Sequence, residues 1–237
     1  DCSFDHMVEN KRLIHYHGTP ISPRSELIKM AGKHFCVSFE DHRDTDWCVN
    51  HGQSVMLDNG AFSAFTKGKS INFEAYEKWI EPYLYPPNWA ILPDVIGGSV
   101  EDQRTLLKKY AHLQKHVIAP VWHMNLSIEW LLEIADNYPR FCFGSSGQYW
   151  QVGSESWCRR SDQAWNELLK RGHRSWVHMM RGLSLCGDKY PFASADSTNV
   201  ARNFKNKGAE VCPERMARRI DSVQNPLKWT MKEIQTD

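Results

Sequence analysis

The chain lacks a long apolar run, a dominant charge sign and any paired-cysteine motif. No hydrophobic stretch approaches the roughly 20 residues that a membrane-spanning helix needs, and the N-terminus carries no basic-then-apolar leader. A soluble, intracellular protein is the expectation. The 29 Lys and Arg residues nearly balance the 28 Asp and Glu residues, for a net charge of +1. An even balance neither demands nor excludes nucleic acid, because charge can still be unevenly spread over a surface. The seven cysteines are scattered, with no C-x-x-C pair, so nothing signals a structural zinc or a redox centre, and reduced thiols fit a cytoplasm. No G-x-G-x-x-G fingerprint follows the first strand candidate, where His17-Gly18-Thr19-Pro20 stands instead. No Asn-Gly-type hairpin joins adjacent strand candidates.

What is present is a repeated unit of a short apolar run, a polar residue, and then a helix signal. It is clearest in Ser54-Val55-Met56-Leu57-Asp58-Asn59-Gly60-Ala61-Phe62, and recurs as Trp89-Ala90-Ile91-Leu92-Pro93-Asp94 and Pro191-Phe192-Ala193-Ser194-Ala195-Asp196. Eight such units can be counted, with strands at 13–16, 35–39, 54–58, 89–92, 117–121, 141–144, 176–180 and 191–196. Helix signals lie between them: Ser22 as cap with Pro23 at the first helical position, then Asn72, Ser99 and Ser127 as caps, and a helix over 161–171. The length of 237 residues suits a single (β/α)8 TIM-type barrel of roughly 250 residues. The expected organisation is an arm over 1–12, a catalytic barrel over 13–208 and a helical tail over 209–237. The end of the barrel and the tail are basic, and Lys205, Lys207, Arg215, Arg218 and Arg219 could hold phosphates.

In a parallel barrel the C-terminal strand ends meet at one mouth. Three carboxylates deposited there, Asp58, Asp94 and Asp196, can divide into nucleophile and proton carrier when their surroundings differ. Taken singly, each could equally be a turn former or helix cap. With His123 they could also hold a divalent ion, but no tight cluster such as His-x-His supports that, and no metal or other cofactor is expected. The small residues Gly144-Ser145-Ser146-Gly147 after the sixth strand would let backbone N–H groups approach a ligand.

These residues resemble those of the tRNA-guanine transglycosylase superfamily. Asp58-Asn59-Gly60-Ala61-Phe62 is similar to its D-S-G-G-[FY] motif, Gly144-Ser145-Ser146-Gly147 falls on its G-G-L loop, Val177-His178-Met179-Met180-Arg181-Gly182 is similar to its H-x-L-M-G stretch, and the 192–202 segment looks like its nucleophile strand. The similarity runs from about residue 13 to 204, with each motif degenerate, and the nucleophile strand fits only with a shift that selects Asp196 as the nearby carboxylate. The resemblance implies Asp196 as nucleophile at C1′ and Asp58 as proton carrier. It implies Asp94 as reader of a guanine-like ring, Ser145 or Ser146 N–H groups at its O6, Phe62 and Met180 as a sandwich around it, and His123 as a further base contact. The zinc motif C-x-C-x-x-C…H of the tRNA enzymes has no counterpart here, since Cys212 is the only cysteine beyond Asp196.

A barrel without the zinc subdomain most resembles the phage DpdA-like proteins that exchange guanine in DNA for a 7-deazaguanine. The expected partners are therefore nucleic acid, DNA rather than tRNA, and a free 7-deazaguanine base; the place is the cytoplasm, of a bacterial host if phage-encoded. Two alternatives stay open: a DNA base glycosylase that ends with water, and an inactive nucleic-acid-binding barrel.

Overall fold

The computed structural model describes residues 13–186, 189–206 and 212–234. The expected arm over 1–12 and Lys207 lie outside the described residues. Nine parallel strands form one sheet: β1 (Ile14–Gly18), β2 (His34–Ser38), β3 (Ser54–Asp58), β4 (Trp89–Ile91), β5 (Ile118–Ala119), β6 (Val121–His123), β7 (Arg140–Gly144), β8 (Trp176–Met179) and β9 (Ser194–Ser197). Their order is β5-β4-β3-β2-β1-β9-β8-β7-β6, so the sheet curls into a nearly closed barrel. Its two end strands are neighbours in the chain, with only Pro120 between them. A proline has no N–H to give a ladder, and the single strand expected over 117–121 is accordingly divided there. The Pro120 carbonyl still accepts the Cys142 N–H at 2.9 Å, which holds the division against β7.

Around the sheet lie α1 (Arg24–Ile28), α2 (Thr45–His51), α3 (Ala61–Thr66), α4 (Phe73–Ile80), α5 (Val100–Lys108), α6 (Ile128–Asn137), α7 (Glu155–Lys170), α8 (Leu183–Cys186), α9 (Asn199–Asn203) and α10 (Pro213–Asp221). Most strands are buried on both faces, as expected when helices cover a parallel sheet, while His34, Cys36 and Ser38 of β2 form a half-buried row. Successive side chains alternate between two destinations. Val55 and Leu57 point out of β3 into a cluster with Tyr76 and Ile80 of α4, whereas Met56 joins Tyr16, Trp89, Ile91, Val121 and Cys142 inside the barrel. On the far side Phe141, Phe143, Val177 and Met179 pack against Leu131 and Ile134 of α6 and against Trp157, Trp165 and Leu168 of α7.

The expected caps Asn72, Ser99 and Ser127 accept hydrogen bonds from Ala75, Asp102 and Trp130 N–H groups, and Ser99 completes a capping box with Asp102. Three helix starts differ from expectation. Pro23 is the N-cap of α1, with helical residues beginning at Arg24. The helix read over 161–171 begins six residues earlier, capped by Ser154, because Trp157 belongs to the same buried face as Trp165 and Leu168. Short α2 begins at Thr45, inside the charged segment 40–46, where the sequence carries no helix signal. In the tail, α10 has Pro213 at its start and buries Ala217 beside Val200 and Phe204.

Candidate functional site

The turn after β3 is built by three consecutive residues. Asp58 Oδ2 accepts the Gly60 N–H at 3.0 Å, and Asn59 Oδ1 accepts the Ala61 N–H at 2.8 Å. Gly60 has φ of 71°, a left-handed conformation that glycine adopts at little cost. A Cβ there would also stand 3.3 Å from Ser38 Oγ. This turn brings Asp58 to the mouth of the barrel and starts α3 with Phe62 beside it.

Across the sheet, β9 carries Asp196 to the same mouth, and both carboxylates line one open cavity of about 1140 Å³. Phe62, Met180, Arg181 and Arg202 line it as well. The Arg181 guanidinium lies over the Phe62 ring at 3.6 Å from its centroid, so one wall pairs a cation with an aromatic face. Arg181 adopts φ of 56°, unusual for a residue with a side chain. That backbone aims its N–H at Asp196 Oδ1, 3.1 Å away. The same oxygen lies 2.9 Å from His178 Nε2. Among the described residues no hydrogen bond reaches Asp196 Oδ2.

The carboxylates differ in surroundings. Burial, then the nearby Asp196 and more weakly Asp94, push the Asp58 carboxyl up to about 7, against the opposing pull of the Gly60 N–H and Arg181. A carboxyl titrating there holds or releases a proton near neutral pH. Below the mouth, burial raises the Cys36 and Cys142 thiols well above their ordinary value, and Asp196 adds to both. These cysteines are neutral lining, not nucleophiles.

The other expected site residues are placed differently. Asp94 is 8% exposed and stands outside the cavity lining. Its Oδ1 accepts from Asn59 Nδ2 and its Oδ2 faces His123 Nε2, each at 2.8 Å. Asp94 and His123 thus form a buried pair, and Asn59, which also donates to the Leu92 carbonyl at 3.0 Å, ties the exits of β3 and β4 together. Gly144 ends β7, where its carbonyl accepts the Met124 N–H. Ser145 Oγ accepts from Trp157 Nε1 at 2.9 Å, and Ser146 Oγ donates to Asn125 Oδ1 at 2.5 Å. None of Gly144, Ser145 and Ser146 lines the cavity that holds the two carboxylates. The structure therefore gathers Asp58, Asp196, Phe62 and Met180 on one cavity, and sets Asp94, His123 and the small-residue loop apart from it.

Sequence reasoning did not single out His178, Arg181 or Arg202 as site residues. The available signal for His178 was period two: it precedes Met180 by two positions and so shares its face of the strand. Among the described residues, no group of three or more His, Cys, Asp or Glu side chains is placed to hold a metal ion. The chain matches no protein-family model, no curated protein and no solved structure. Among the described residues no helix is long and apolar enough to cross a membrane.

Proposed function

We propose that the protein exchanges a guanine base in nucleic acid for a 7-deazaguanine through a covalent bond to Asp196. The observation that carries this reading is the pair of unlike carboxylates on one open cavity: Asp196 held at Oδ1 with Oδ2 left over, and Asp58 titrating at about 7. In the proposed reaction Asp196 Oδ2 bonds to C1′ of the target nucleotide as the bond from C1′ to the base nitrogen breaks. The electron pair leaves with the base, which takes the proton held by Asp58. An incoming 7-deazaguanine then gives a proton to Asp58, its ring nitrogen bonds to C1′, and Asp196 departs as a carboxylate. Splitting a glycosidic displacement into two steps through an ester is what a carboxylate nucleophile offers. A group that must both give and take one proton works best with a pKa near the operating pH.

Phe62 with the Arg181 guanidinium on one side, and Met180, supply the flat wall for an extruded base, whose stacking is worth about 1–3 kcal/mol. Asp94 takes a supporting part on this reading. Its charge raises the Asp58 carboxyl, and base recognition falls to groups on the cavity itself. The barrel is read as eight (β/α) units, with β5 and β6 counted as one strand divided at Pro120. DNA is the proposed substrate, as the resemblance to the DpdA-like proteins implies, and tRNA is the alternative that the test includes.

The test is incubation with single-stranded DNA, duplex DNA or tRNA together with a labelled 7-deazaguanine base. Label entering DNA is the expected result. Abasic sites without label would instead identify a hydrolytic glycosylase, and unchanged nucleic acid would leave only a binding barrel.

A further inference from the structure

Two inward rows on adjacent parallel strands, Trp176 and His178 on β8 and Ser194 and Asp196 on β9, are joined into a single file of hydrogen bonds. His178 and Ser194 are register partners. Trp176 Nε1 donates to Ser194 Oγ at 2.8 Å, Ser194 Oγ lies 2.7 Å from His178 Nδ1, and His178 Nε2 lies 2.9 Å from Asp196 Oδ1. The file crosses the barrel from the N-terminal end of β8 to the mouth.

Its proton order follows from the ends. An indole N–H only donates, so Ser194 Oγ accepts from Trp176, and among the described residues His178 Nδ1 is its one other partner and takes its proton. A neutral imidazole that accepts at Nδ1 carries its proton on Nε2. That proton points at Asp196 Oδ1, which also accepts the Arg181 N–H. Both N–H donors thus fall on Oδ1. The ring itself has no room to turn: His178 is fully buried, and the edges or faces of Trp89 and Tyr16 meet it at centroid distances of 5.2 and 6.0 Å.

Building on the base-exchange reading, we infer that His178 is the positioning residue for Asp196, fixed as its Nε2–H tautomer by the Ser194 hydroxyl and the Trp176 indole. It pins Oδ1, so that Oδ2 is the atom that meets C1′. Asp58 has no part in this file and remains the proton carrier.

Two measurements test the assignment. The first needs no substrate: nitrogen NMR of the histidines, with the His178 signals assigned by their loss in His178→Gln. The expected pattern at neutral pH is a neutral ring protonated at Nε2, turning to a mixture of tautomers in Ser194→Ala. A ring protonated at Nδ1, or at both nitrogens, would overturn the inference. The second is single-turnover formation of the enzyme–nucleotide ester. His178→Ala is expected to slow it about 10–100-fold with oligonucleotide affinity unchanged, and His178→Gln, whose amide can donate to Oδ1 from a similar position, to recover most of the rate. Ester formation at the native rate in His178→Ala, a change confined to affinity, or a glutamine variant no better than alanine would each contradict it. Should His178→Ala not fold, Ser194→Ala and His178→Gln carry the same comparison. If the native protein forms no ester with any oligonucleotide, the base-exchange reading fails, while the tautomer still decides how Asp196 is held.

Discussion

Asp58 keeps its proton well above the range of an ordinary aspartate, and that has a thermodynamic consequence. The folded carboxyl titrates at about 7 against a usual value of 3.8. Between these two values the native state binds a proton that the unfolded chain has released, so the contribution of Asp58 to stability falls as pH rises through that window. The loss amounts to as much as about 4 kcal/mol. Asp58→Asn removes the titration and keeps an acceptor for the Gly60 N–H. Urea unfolding at either end of the window should therefore show the variant gaining stability relative to the native protein at the higher pH. Parallel pH dependences for the two proteins would mean that the Asp58 carboxyl is not perturbed. The same group sets the alkaline limb of the expected activity profile, a fall in base release as pH rises through about 7 that disappears together with turnover in Asp58→Asn.

At the scale of elements, the turn after β3 decides whether a mouth exists. Asn59 makes three bonds there, to the Leu92 carbonyl, the Asp94 carboxylate and the Ala61 N–H. Asn59→Ala leaves buried partners without bonds and is expected to lower stability by about 2–4 kcal/mol, measured as a shift in the urea midpoint. A loss within a few tenths of a kcal/mol would show the turn to be held otherwise. This same turn marks the boundary of what the sequence discloses. Asp58 and Asp196 were legible because each ends an inward row, and period two says where such a residue points; Phe62 and Met180 were named only through the family resemblance. Asp94 follows its strand in the same way, yet its orientation is decided by Asn59 and His123 from other units, which no local pattern records. His178 reads in sequence as one more residue of a buried strand, since its role depends on Ser194 sixteen positions later.

The helices divide along the same line. Those capped by Asn72, Ser99 and Ser127 were visible because the capping side chain is itself the signal. By contrast, α2 and α3 have no side-chain cap and only seven and six residues, too little for periodicity to register. They are held by tertiary contacts, which short helices require.

For the whole molecule, the return of the tail to the first strand closes the architecture. Asp221 at the end of α10 meets His17 Nε2 of β1 at 2.8 Å and Lys33 Nζ at 3.1 Å. Burial by itself would raise the Asp221 carboxyl, but these two partners outweigh it and its pKa is lowered. Stability from this contact is thus present above the ordinary aspartate range and lost as pH falls through the lowered value. Asp221→Ala should destabilise the protein by about 1–3 kcal/mol at neutral pH, with the difference from the native protein shrinking in acid. A difference independent of pH would assign the effect to packing alone.

The barrel brings Asp196 to its mouth, and the hydrogen-bond file that ends on Oδ1 leaves one oxygen, Asp196 Oδ2, for the proposed chemistry. The most direct measurement is the intact mass of protein denatured after mixing with a guanine-containing oligonucleotide, comparing the native chain with Asp196→Asn, in which the amide oxygen can still accept from His178 and Arg181. The account predicts an adduct of the oligonucleotide less its base, located on the peptide containing Asp196 and missing from the variant. Native protein that releases or exchanges guanine without an adduct, or a variant that still forms one, would contradict it.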